Sequence, residues 1–290
     1  MHQSRAADLL GAHVSTQGGV QTALARGKAI GATAIQVFTK TPNQWREPEL
    51  TEESRTAFRR ERDRSEIASI VAHDSYLINL ASPDRGLAAR SAESFTAELR
   101  RCDVLGIPAV VSHPGNFIDD REAGLERNAA AITRCLQAVP GDVMVLLETT
   151  AGSGTALGAT FEELGALREA IDESVRHRIA FCADTCHLYS AGYDLVREYD
   201  DVWHRWEKTI GFALLRCLHL NDSKTPLDSR RDRHELVGEG SLGPEPFRRI
   251  MRDPRLRSIM KLIETPKGDD EFTCDRRMLR RLRAYGRAAR

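Results

Sequence analysis

Ile179-Ala-Phe-Cys-Ala-Asp184-Thr-Cys-His187 decides the fold of this chain. An unbroken run of apolar and small residues ends on an aspartate, and a histidine follows shortly after. Such a run reads as a strand covered on both faces, the environment of a parallel sheet flanked by helices. The design recurs. Ser69-Ile-Val-Ala-His73, Ala109-Val-Val-Ser-His113, Val143-Met-Val-Leu-Leu-Glu148, Arg216-Cys-Leu-His219-Leu and Lys261-Leu-Ile-Glu264 each carry a cation-binding residue at or next to the end. Adding 9–14 and 34–39 gives eight strand segments, the others being 69–73, 109–113, 143–148, 179–184, 216–220 and 261–264. Helical patterns fall between them at 18–30, 54–65, 91–105, 125–138, 160–172, 199–210 and 244–251. Strict alternation predicts parallel pairing with right-handed crossovers. Ligand-type residues at the C-terminal ends of successive strands are how a (β/α)8 barrel builds an active site. The expected fold is therefore an α/β (β/α)8 TIM barrel with its site at that end.

Length and composition fit one domain over 1–290, with a short N-terminal extension at 1–8 and a basic tail at 276–290. Hydrophobic residues make up 41% and charged residues 29%, ordinary for a globular protein. No apolar stretch approaches the roughly 20 residues of a membrane span. The N-terminus Met1-His-Gln-Ser-Arg-Ala-Ala-Asp8 lacks a signal-peptide core, so a cytoplasmic location is expected. The 42 basic and 42 acidic residues cancel, so any nucleic-acid face must be a local patch. The arginines from Arg276 to Arg290 read as a solvated helix end rather than a phosphate-binding element. The six cysteines are scattered. Cys182 and Cys186 flank Asp184, but their spacing fits no common thiolate zinc pattern.

The ligand spacings set the chemistry. Asp232 and His234 are two apart, so on an extended segment both side chains point the same way and can chelate one ion. Asp184 ends a strand and His187 lies in the loop after it. Glu148 and Glu264 end non-adjacent strands, and a carboxylate can bridge two cations about 3.5–4 Å apart. Mixed N/O ligation without thiolate suits zinc or manganese, and imidazole favours zinc. His73, His113, Glu148, Asp184, His187, His219, Asp232, His234 and Glu264 are too many for one ion and about right for a cluster. His13 also ends a strand and reads as an orienting residue or a further ligand. His2, His177 and His204 have no such context and read as surface residues.

His73-Asp-Ser-Tyr-Leu-Ile-Asn-Leu80, His113-Pro-Gly115, Glu148-Thr-Thr-Ala-Gly-Ser-Gly154, Asp184-Thr-Cys-His187, His219-Leu-Asn-Asp-Ser-Lys224, Ser229-Arg-Arg-Asp-Arg-His234, Gly238-Glu-Gly240 and Leu262-Ile-Glu-Thr-Pro266 run in order along the chain. Together they resemble the endonuclease IV family of zinc-dependent apurinic/apyrimidinic endonucleases, over about Leu10 to Thr265. The resemblance implies a TIM barrel with three zinc ions that hydrolyses the phosphodiester 5′ to an abasic site in duplex DNA. The products would be a 3′-hydroxyl and a 5′-deoxyribose phosphate. It also implies the grouping. His73, His113 and Glu148 would hold the first zinc. Glu148 would bridge to a second, completed by Asp184, His219 and Glu264, and His187, Asp232 and His234 would take the third. Manganese is admitted at one or more sites. A hydroxide between the bridged ions would be the nucleophile, with Glu148 or Glu264 orienting it or accepting its proton. Tyr76 and Leu77 match the family's intercalating loop, and Phe38-Thr-Lys-Thr-Pro-Asn-Gln-Trp45 a second DNA-contacting loop. Some members carry an inserting arginine where this chain has Asn43, while Trp45 reads as a core anchor. Abasic duplex DNA is then the partner, with no membrane and no obligate protein partner. The competing readings are a divalent-metal sugar isomerase or epimerase on the same barrel, and a non-catalytic damage-binding protein.

Overall fold

The computed structural model describes residues 8–270 and 272–287. The strands are β1 Leu10–His13, β2 Ala34–Phe38, β3 Ser69–His73, β4 Ala109–Ser112, β5 Met144–Glu148, β6 Ile179–Asp184, β7 Leu215–His219, β8 Asp222–Ser223, β9 His234–Glu235 and β10 Met260–Ile263. The helices are α1 Thr22–Ala29, α2 Glu52–Arg64, α3 Arg85–Leu105, α4 Arg121–Gln137, α5 Phe161–Ala170, α6 Glu173–Arg176, α7 Thr185–Ser190, α8 Tyr199–Thr209, α9 Pro244–Arg252 and α10 Thr273–Gly286. Eight strands close into a barrel in the order β1-β10-β7-β6-β5-β4-β3-β2, and every pairing within it is parallel. The expected TIM barrel is what the chain forms. β8 and β9 make a separate antiparallel ribbon.

Alternation along the strands separates two cores. Ala34, Val71, Ala109, Val111, Leu146, Ala180, Cys182, Cys217, Met260 and Leu262 form one buried cluster. Their neighbours of opposite parity, such as Ile35, Val110, Leu147 and Phe181, belong to a larger cluster with the helices. The first set fills the barrel interior and the second lies between sheet and helices.

Local chemistry explains the helix starts. Thr51, Asp84, Asp120 and Thr160 each accept a backbone N–H from the first turn. At Thr160-Phe-Glu-Glu163 only half of a capping box forms. Thr160 caps Glu163, but the Glu163 carboxylate turns to the N–H groups of Gly158 and Ala159.

Two sequence expectations change. His187 is not in a loop. It lies on α7, whose first turn Asp184 caps by accepting the His187 N–H at 2.9 Å. Arg276 to Gly286 forms the expected helix, most of α10, but it is packed rather than a free tail, because Met278, Leu279 and Leu282 recur at helical spacing and are fully buried. Its arginines bind protein carbonyls, Arg276 that of Ala29, Arg281 that of Val237 and Arg283 that of Gly31. Residues 288–290 and His2 lie outside the described residues. Among the described residues no helix is long and apolar enough to cross a membrane.

Candidate metal centre and nucleic-acid face

Moving two residues along each strand from the interior cluster keeps the inward register and reaches the barrel mouth. From Ala34, Val71, Val111, Leu146, Cys182, Cys217 and Leu262 this step arrives at Gln36, His73, His113, Glu148, Asp184, His219 and Glu264. The periodicity that fills the interior therefore converges six of the nine expected ligands. His187 joins them from α7. Asp232 and His234 join from the loop and ribbon after β8, with Asp232 Oδ1 3.1 Å from His234 Nε2.

Three groups result, and within each the potential ligand atoms lie within 4.8 Å of one another. One is His73, His113 and Glu148, the next Glu148, Asp184, His219 and Glu264, and the last His187, Asp232 and His234. Glu148 links the first two. Its Oε2 is 2.9 Å from His113 Nε2 and 3.3 Å from His73 Nε2, and its Oε1 is 2.7 Å from His219 Nδ1. His187 Nε2 is 3.2 Å from Asp232 Oδ2. His177 and His204 are away from the groups, and His204 is exposed.

Backbone carbonyls orient the rings. His73 Nδ1 donates to Asp74 O at 2.9 Å, and His187 Nδ1 to Thr149 O at 2.7 Å. A carbonyl only accepts, so those nitrogens carry a proton, and when the ring is neutral Nε2 is the unprotonated nitrogen that faces the carboxylates. The carboxylates are fixed too. Asn221 Nδ2 donates to Asp184 Oδ2 at 2.6 Å, while its Oδ1 accepts the Glu264 N–H at 2.8 Å. Asp222 accepts the N–H groups of Gly238, Gly240 and Leu242, pinning the Gly238-Glu-Gly240 turn. A Cβ on Gly240 would strike the Ser223 carbonyl, so the turn needs glycine there. Sequence reasoning does not single out Gln36, Thr149, Asn221 or Asp222. Three stand inside motifs that carry the family resemblance, and Gln36 is a polar residue in the apolar run Ala34-Ile-Gln-Val-Phe38.

Charge completes the picture. Burial works to raise the carboxyls of Glu148 and Glu264, yet the adjacent imidazoles outweigh it and hold both well below the ordinary range. Burial opposes charge on His73 and His234, but Glu148 for the first and Asp184 for the second lift each to about 9. His187 and His219 are raised well above the ordinary value despite burial, chiefly by Asp184 and Glu264 respectively. Where no cation is bound, these donors would hold protons instead. His234 Nε2 is buried and, though 3.1 Å from Asp232 Oδ1, does not meet it in hydrogen-bond geometry. An imidazole nitrogen facing carboxylates in this way, in a set of N and O donors, fits divalent cations. Cys182 is buried beside Cys217 and His219, and Cys186 lies near Asp184 and His234. Neither thiol is needed to complete the three groups.

An open cavity of about 500 Å³ lies above, lined by His13, Phe38, Tyr76, Asp232, Glu264 and Lys267 among others. Tyr76 is 68% exposed, its ring edge-on to Phe38 at 5.2 Å, and Leu77 is half-buried. Asn43 is exposed on the β2–α2 loop, which Ser75 ties to the Tyr76 loop by donating to the Pro42 carbonyl. Trp45 is half-buried under the Arg90 guanidinium, 4.8 Å from its ring centroid. Beneath this loop, buried Lys40 donates to Glu47, Ser94 and the Gln44 carbonyl. Buried Arg101 bridges Glu98, Glu47 and Thr39. Cations stand beside the site, interleaved with the exposed Asp228 and Asp232. Lys224, Arg231 and Arg233 are exposed on the loop leading to Asp232 and His234.

Comparison with known proteins converges on one family. The model of the xylose isomerase-like TIM barrel family matches residues 24–282. A protein named probable endonuclease 4 from Geobacter sulfurreducens is 46% identical over 268 residues, 91% of this chain and 90% of its own length. The crystal structure of endonuclease IV from Thermus thermophilus superposes with a TM-score of 0.84 at 35% identity, covering 95% of this chain and 98% of that one. A D-tagatose 3-epimerase-like protein has a TM-score of 0.68 over 95% of this chain and 98% of its own, but at 16% identity it shares the fold alone. On identity at that level over nearly its whole length, the chain is a nuclease and belongs to the endonuclease IV family.

Proposed function

We propose that the barrel mouth hydrolyses the phosphodiester 5′ to an abasic site in duplex DNA, leaving a 3′-hydroxyl and a 5′-deoxyribose phosphate, with zinc ions as cofactors at three sites. What carries the reading is the succession of three donor groups, two of them joined through Glu148, under a cavity edged by exposed Tyr76. His73, His113 and Glu148 would hold one ion, Glu148, Asp184, His219 and Glu264 a second, and His187, Asp232 and His234 a third. The oxygen-rich second group also suits manganese. When bound, the ions would supply positive charge to the phosphate and lower the pKa of water to near neutrality.

The residues divide the remaining work. Glu148 is fully buried with both oxygens engaged, so it would be the residue shared by the first two ions and has no free oxygen to move a proton. Glu264 has a side chain 19% exposed and lines the cavity, so of the two carboxylates it is the one that water reaches and that would orient it. An abasic nucleotide has no base to stack, so extruding it costs less than flipping an intact one. Tyr76 and Leu77 would fill the gap, and the patch from Lys224 to Arg233 would grip phosphates.

The test is incubation of the metal-loaded protein with a duplex carrying one abasic site, together with elemental analysis. A single incision 5′ to the site, a polymerase-extendable 3′ end and roughly three zinc ions per chain are expected, the ligand count being that of a multinuclear site. An intact duplex with the metal in place, or epimerisation of a ketohexose instead, overturns the reading.

A further inference from the structure

Gln36 stands in the middle of β2 and is fully buried inside the barrel. A primary amide there is costly unless its donors and acceptor are all used. In this protein they are. Nε2 lies 2.6 Å from Glu264 Oε1 and 2.9 Å from His13 Nδ1, and Oε1 lies 2.8 Å from His219 Nε2. The direction of each bond follows from chemistry. A carboxylate oxygen only accepts, so the NH2 group faces Glu264. Its other hydrogen goes to His13 Nδ1, which must accept and is then spent as a lone pair. The amide oxygen faces His219, whose Nε2 must carry the proton. When the ring is neutral, His219 therefore turns an unprotonated Nδ1 to Glu148 Oε1 at 2.7 Å and Glu264 Oε2 at 3.3 Å. A nitrogen lone pair and two carboxylate oxygens at these separations repel unless positive charge lies among them.

We infer that Gln36 is a positioning residue for the ion held by Glu148, Asp184, His219 and Glu264. One amide selects the His219 tautomer and aims the Glu264 carboxylate. It also makes His13 an orienting neighbour rather than a ligand. The inference rests on the metal-dependent nuclease reading above. Loss of such an outer contact weakens metal binding by about 10–100-fold where it has been removed from other metal sites.

The variants are Gln36→Met, which keeps the volume and removes every hydrogen bond, and Gln36→Glu, which keeps an acceptor for His219 but places a second carboxylate against Glu264. The zinc-loaded proteins are titrated with a chromophoric chelator, the cobalt-substituted proteins are compared by visible absorption, and incision of abasic duplex is measured. Gln36→Met is expected to release one ion per chain about 10–100-fold more readily. The cobalt bands should shift, and kcat should fall with KM for abasic duplex unchanged. Gln36→Glu should be the more severely affected. A folded Gln36→Met protein with the wild-type chelator profile, cobalt spectrum and kcat overturns the inference. In the wild-type zinc protein, long-range 1H–15N spectra must show His219 protonated at Nε2, and the opposite tautomer overturns it whatever the variants do. A wild-type protein that holds no zinc and leaves abasic duplex intact instead overturns the functional reading.

Discussion

Glu148 has the shortest list of alternatives of any residue in the site, because two imidazole-bearing groups meet on its two oxygens. An amide keeps the shape but is a neutral and poor bridge. Glu148→Gln should therefore cost at least ~100-fold in incision and some of the bound metal, more than loss of a contact that only orients a ligand. Elemental analysis alongside abasic-duplex nicking checks both, and full metal content with wild-type turnover would remove Glu148 from the bridge. Asn43 poses the opposite case, a residue outside the chemistry. It is exposed on a loop tied to the one carrying Tyr76. Asn43→Arg adds a cation and a longer side chain, so affinity for an uncleavable abasic analogue should rise. The slope of log affinity against log salt should steepen by about 0.9, one phosphate's share. Turnover at saturating DNA should hardly change. Unchanged affinity and slope would mean that position 43 does not face DNA. These residues differ in how legible they are. Ligand types at strand ends announce themselves, whereas Gln36 carries an amide, a group that sequence reading for metal sites passes over. Its signal is positional, a polar side chain in an inward slot of an apolar strand.

Elements carry the third donor group, and they show where sequence reading stops. Asp232 and His234 come from the edge of the β8–β9 ribbon, and His187 from the first turns of α7. The two-residue spacing of Asp232 and His234 is readable because extended backbone repeats every second side chain. The helix under His187 is not, because six residues are too few to show a 3.6 period and Asp184 serves at once as strand end and helix cap. A shared ion would make the pair one functional unit. Asp232→Ala and His234→Ala should each give nearly the full loss, and the double variant little more, when incision rates are compared. Losses that multiply would assign the two residues to separate tasks. The basic end of the chain misleads for a related reason. Arginine count dominates its reading, while the spacing of Met278, Leu279 and Leu282 marks a packed helix.

At the scale of the molecule, protons and metal ions compete for one cavity. In the ion-free chain His73 and His234 are lifted to about 9, so both are charged at neutral pH. A ligand imidazole must be neutral, so zinc uptake near pH 7 should release protons, and apparent affinity should rise with pH towards about 9. Proton release in a weakly buffered, dye-monitored titration checks this, and uptake without release would contradict it. The sign for stability follows. A histidine raised above its unfolded value of about 6.5 stabilises the ion-free fold fully below that value and loses the contribution as pH rises through about 9. The ion-free Tm should thus decline over that window, while the zinc-loaded Tm should fall only on the acid side, where protons displace the ions. The barrel itself is the most legible feature, since eight apolar runs alternating with helical patterns leave few other topologies. The net charge is the least informative, because it sums the whole chain and hides where the cations of the Lys224 to Arg233 loop stand.

The ion-pair network of Lys40, Glu47, Glu98 and Arg101 bears on how DNA is captured. It ties the β2–α2 loop to α3 before any substrate arrives. A loop that is already rigid loses little conformational freedom when it meets a duplex. The ordering cost falls on folding, and the heat-capacity change on binding should report only the apolar surface covered by DNA, with no added term for a loop that folds on contact.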